Sequence, residues 1–68
     1  MNQQEFAGLV KKRRKALKIT QNDCSELSGI SVATISAIEN GHIDPSLSTM
    51  ARLCEILGLE MAIKAKGV

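Results

Sequence analysis

The chain is poor in the residues from which pockets and reaction centres are usually built. Its 68 residues include no Trp or Tyr, one Phe, one Pro, one His and two Cys. A lone histidine leaves little for acid–base work, and no Ser–His–Asp or Cys–His set stands at a legible spacing. No CxxC or HxxxH pattern occurs, so a four-ligand zinc site is not supported. The expectation is a non-enzyme with no cofactor and no metal. No apolar run approaches the ~18 residues a membrane span needs. The N-terminus is polar and its basic block comes late, the wrong order for a signal peptide, so no membrane role is expected. With 44% apolar and 24% charged residues, the composition excludes disorder and collagen and fits a helical globular chain. The length allows one domain with a small core, to which a second chain would add stability.

What is present is unevenly placed. Cys24 and Cys54 both fall at apolar helix positions and read as small buried hydrophobes of a reducing, cytoplasmic setting, with a disulfide as the lesser alternative. The net charge is only +2, yet Lys11, Lys12, Arg13, Arg14, Lys15 and Lys18 place +6 within eight residues, so the other 60 carry −4. Such a block is either a solvated helix face or a stripe facing phosphates, and its position in the fold must decide.

Periodicity and caps predict four short helices. The first spans about Gln3 to Lys18, with Phe6, Val10, Arg14 and Leu17 on one face and Leu9 beside them. The second opens at Thr20, where a hydroxyl is followed three residues later by Asp23, and buries Cys24 and Leu27 before Gly29 stops it. The third follows Ser31, runs to Glu39 and ends at Asn40-Gly41, with Ile35, Ile38 and Glu39 inward. Pro45 and a Ser46 cap precede the fourth, Leu47 to Leu57, whose stripe is Leu47, Met50, Leu53, Cys54 and Leu57, and Gly58 ends it. Arg14 and Glu39 are charges on apolar faces and are natural partners.

The tail changes period. Leu59, Met61, Ile63 and Ala65 alternate with Glu60, Ala62, Lys64 and Lys66, a strand signal. A lone strand leaves its backbone unpaired, so its partner is the same strand of a second copy about a two-fold axis; a fifth helix or a frayed tail is the alternative.

Two short helices about a Gly turn make a helix-turn-helix. Thr20-Gln21, Gly29, Ser31 through Gly41 and Pro45-Ser46-Leu47, taken together, resemble the Cro/C1-type (XRE-type) DNA-binding family over about residues 6–58. The resemblance implies an all-α, lambda-repressor-like domain of four to five short helices at 1–58, with 59–68 as a C-terminal strand and dimerisation tail. It implies double-stranded DNA as partner, with the third helix in the major groove. Val32, Ala33, Thr34, Ser36 and Ala37 would face bases, although Val32 also reads as core. Gln21 and Asn40 would hold phosphates, with Thr20 and His42 as weaker backbone contacts, and Arg14–Glu39 would be the family's internal ion pair. Leu59, Met61, Ile63 and Ala65 would form the dimer contact.

Two features depart from the family pattern. Cys24-Ser25 stands where Leu-Ala is usual, and the reading face has no Arg, Asn or Gln for bidentate base recognition. Methyl contacts from Ala33, Ala37 and Val32 and a bond from Ser36 would therefore be supplemented by DNA shape. The alternating tail is similar to antitoxin regulators of the Hip type, which imply autorepression and a kinase toxin as partner. The leading expectation is a homodimeric repressor on an inverted-repeat operator, with the antitoxin role as alternative.

Overall fold

Each helix boundary is set by a local polar device. The computed structural model describes residues 1–67. Helix α1, Gln3–Ala16, starts at Asn2, whose Oδ1 accepts the Glu5 amide at 2.9 Å. It stops two residues before the expected Lys18, because Leu17 caps it and Lys18 turns left-handed at φ 58°. Helix α2, Gln21–Ser28, opens with a reciprocal capping box: Thr20 Oγ1 accepts the Asp23 amide at 3.0 Å and the Asp23 carboxylate accepts the Thr20 amide at 2.9 Å. These bonds to the Thr20 backbone and hydroxyl hold the Asp23 carboxyl below its usual range. Gly29 ends α2 at φ 76°, a conformation costly for any residue with a Cβ.

Helix α3, Val32–Glu39, is capped by Ser31, whose Oγ accepts the Thr34 amide at 3.1 Å. Helix α4, Leu47–Leu57, is capped in the same way by Ser46 and Thr49 at 3.2 Å. Its C-terminus closes at left-handed Gly58, after which the Leu59 amide donates back to the Cys54 carbonyl at 2.8 Å and Leu59 packs on the core.

Helix α1 lies against α3 and α4, and α2 against the same two. The shared core is Phe6, Val10, Cys24, Ile30, Ile35, Ile38, Leu53, Cys54 and Leu57. Both cysteines are free and buried, and burial pushes both thiols up. Two arginines of α1 fix its neighbours. Arg14 reaches α3, as described below, while Arg13 Nε donates to the Leu57 carbonyl at 2.6 Å and satisfies the end of α4.

Several expectations are corrected. The helices number four among the described residues, with no fifth. No strand forms there either: 59–65 is irregular, because a strand exists only through ladder bonds and the single chain offers no second strand. Val68 lies outside the described residues. Leu17, Leu27 and Leu47, expected inward, are 40%, 61% and 64% exposed. Leu17 sits at the cap where α1 has ended, α2 has room for one fully buried side chain (Cys24), and Leu47 occupies the first turn of α4 before it reaches the core. In their place the structure buries Ala7 and Ile30.

Candidate nucleic-acid interface

The α2–turn–α3 unit is locked from beneath by one ion pair. Arg14 Nε and Nη2 donate to the two Glu39 carboxylate oxygens at 2.7 and 2.9 Å, a bidentate fork, and Nη1 donates to the Ile19 carbonyl at 2.9 Å. The side chains are 11% and 2% exposed, so the carboxylate is sealed and the guanidinium nearly so. Burial alone would push the Glu39 carboxyl up. The hydrogen bonds from Arg14 and Gln21, with the charges of Arg14 and Lys11, outweigh it and leave the group below its usual range. The bond to Glu39 likewise raises the Arg14 guanidinium. The end of α1, the end of α3 and the loop before α2 are thereby held as one piece.

Above this lock, α3 turns a face of small side chains to solvent. Ala33 is exposed, Ser36 and Ala37 are half-buried, and Val32 is 36% exposed, which takes it out of the core. Thr34 is half-buried and its hydroxyl accepts from Ser31 Oγ at 2.9 Å, so it serves the cap. Asn40 is exposed at the C-terminal end, with Nδ2 donating to Ser36 Oγ at 3.4 Å. His42 is exposed in the following loop, its amide donating to the Ala37 carbonyl at 2.9 Å.

The N-terminus of α2 meets this face. Thr20, Gln21, Asn22 and Val32 line one open depression with Arg14, Lys15, Lys18 and Ile19. Gln21 Nε2 donates to Glu39 Oε1 at 3.3 Å, which ties the side chain to the ion pair, while the Asp23 amide of the same turn is taken by Thr20 Oγ1. Thr20 and Gln21 thus share a depression with Val32, while Asn40 and His42 stand at the far end of α3. Nothing in residue spacing joins an N1 glutamine to a residue 18 positions on, so the sequence does not announce the link from Gln21 to Glu39.

The expected dimer residues lie elsewhere. Leu59 is half-buried, Ala65 is exposed, and Met61 and Ile63 are 39% and 90% exposed. Leu59, Met61 and Ile63 line a second, mainly apolar depression with Leu9, Leu47 and Met50, and it shares no residue with the first.

Comparison with known proteins agrees with this geometry. Residues 10–63 match the family described as Helix-turn-helix. The chain is similar to an uncharacterized HTH-type transcriptional regulator of Methanothermobacter thermautotrophicus, 38% identical over 52 residues, covering 76% of this chain and 75% of that protein. It is also similar to the ImmF control region 10 kDa protein of Bacillus phage phi105, 29% identical over 59 residues, covering 87% of this chain and 66% of that one. Among the described residues, no helix is long and apolar enough to cross a membrane.

Proposed function

The chain belongs to the Cro/C1-type (XRE-type) helix-turn-helix family of DNA-binding transcriptional regulators, and from that premise we propose that it is a repressor acting as a homodimer on an inverted-repeat operator. The observation that carries this reading is the uncovered α3 face, with the α2 N-terminus beside it and the Arg14–Glu39 fork fixing both. Two such faces about a two-fold axis would enter successive major grooves roughly 34 Å apart.

Ala33, Ala37 and Val32 would meet thymine methyls, and Ser36 would bond a base edge, so direct readout is modest and DNA shape supplements it. Gln21 and Asn40 would bracket the helix with phosphate contacts, Thr20 and His42 adding backbone contacts. The similarity to a protein of a phage control region supports a regulatory role.

The second copy would cover the apolar depression beside α4. Ile63 at 90% and Leu47 at 64% exposure are costly surfaces for a monomer. The alternating tail would become a strand only on meeting its symmetry mate, which supplies the missing ladder bonds. The antitoxin alternative rests on this tail pattern. Co-expression with the neighbouring gene products separates the two, since an antitoxin retains a kinase and a plain repressor does not.

The direct test is a mobility shift on the DNA upstream of the gene. Affinity should fall by orders of magnitude between 50 and 200 mM salt, about a thousand-fold if some six phosphates are contacted. Affinity unchanged over that range contradicts the proposal.

A further inference from the structure

The six cations of residues 11–18 do not act as one block. Arg14 is engaged by Glu39 and Arg13 by the Leu57 carbonyl. Lys11 and Lys12 are exposed and lie outside the depression that holds Thr20, Gln21, Asn22 and Val32, whereas Lys15 and Lys18 line it and their side chains make no bond to the fold among the described residues. No carboxylate among the described residues pairs with either, since Arg14–Glu39 is the ion pair formed there.

Lys18 sits where α1 turns off: its φ of 58° is the left-handed stop of the helix, with the Lys18 amide donating to the Lys15 carbonyl at 3.0 Å and the Ile19 amide to the Arg14 carbonyl at 3.2 Å. This turn places an exposed ammonium, in no ion pair among the described residues, at the rim of the proposed interface.

Resting on the DNA-binding reading above, we propose that Lys15 and Lys18 are backbone-phosphate contacts, gripping the DNA strand where it passes the junction of α1 and α2. The basic block is then divided by function. Arg13 and Arg14 hold the fold, Lys15 and Lys18 bind phosphate at close range, and Lys11 and Lys12, outside the depression, contribute only to the long-range field.

The test measures affinity for a random-sequence duplex of about 30 base pairs from 50 to 200 mM salt, for wild type, K12Q, K15Q/K18Q and K18G. Each lost phosphate contact lowers the salt slope by about 0.9, so the double variant should lose about 1.8 from its slope. Its affinity should then fall about 12-fold less than that of wild type over the range. K12Q should leave the slope near wild type. K18G should lose about 0.9 while melting at or above the wild-type temperature, because glycine relieves the left-handed turn. A K15Q/K18Q slope equal to wild type, or a K12Q loss as large as that of K18G, overturns the proposal. So does a K18G that melts well below wild type. A wild type with no affinity for duplex overturns the DNA-binding reading itself.

Discussion

Removing Arg14 should both destabilise the domain and reverse the pH response of one carboxyl. In Arg14→Ala the Glu39 side chain, 2% exposed, loses both fork bonds and keeps only the 3.3 Å bond from Gln21. Stripping one partner from a buried pair costs about 3–5 kcal/mol, and the 11% exposure of Arg14 argues for the lower end, about 3 kcal/mol. A domain of 68 residues has roughly 3–10 kcal/mol in total. In urea, with a slope near 1 kcal/mol per molar, the midpoint should drop by about 3 M.

The sign of the pH dependence follows from the direction of the Glu39 shift. In the wild type its folded pKa lies below the ordinary value, so its contribution is present above the unfolded pKa and is lost as pH falls through the folded one. In Arg14→Ala burial acts with little opposition and the folded pKa rises. The carboxyl then favours folding below its unfolded pKa and opposes it above. The stability gap between the two proteins should therefore narrow as pH falls from 7 to about 4. Replacing both residues with Leu should restore most of the loss, short of the Ile19 carbonyl and the Gln21 amide that lose partners. Urea unfolding at several pH values checks all three. A cost under about 1 kcal/mol, or a gap constant with pH, would mean that the pair behaves as a surface bridge and would refute the reasoning.

Three further outcomes follow from single positions. Ala33→Glu puts a carboxylate on the exposed α3 face, so binding to duplex should be lost while stability changes by no more than about 0.5 kcal/mol, read by mobility shift and thermal melting. Gly29→Ala should cost about 1 kcal/mol from its φ of 76° alone, since no atom lies within 4 Å of the added methyl. Ile63→Pro should leave the helices intact by circular dichroism and convert dimer to monomer by light scattering, because a proline breaks the proposed tail pairing; a monomeric wild type would remove the basis for that pairing.

How far the structure was legible in the sequence depended on the range of the forces involved. The bounds of α2, α3 and α4 were readable because Thr20, Ser31 and Ser46 bind amides three residues on, and Gly29 and Gly58 mark left-handed stops. Arg14–Glu39 was readable because two charges on apolar stripes demand each other. Leu27 and Leu47 were misplaced because periodicity assigns every apolar residue of a stripe to the core, whereas α2 buries only Cys24 and Leu47 lies in the first turn of α4, before that helix reaches the core. Ile30 went unseen because it lies in a turn, where no period applies. The bond from Arg13 to Leu57 and that from Gln21 to Glu39 join residues distant in sequence, so no local pattern announces them. The tail shows the same limit: its alternation is compatible with a strand, but pairing is a property of two segments and the single chain contains one.

The claim that α3 is the DNA-reading element is tested most directly by backbone amide NMR during titration with duplex. The largest shift changes should gather at Gln21 and Asn22 and along Val32 to Asn40, leaving α4 and the tail beyond Leu59 nearly still at constant dimer concentration. Changes centred on α4 and the tail, or none at all at 50 mM salt, would contradict it.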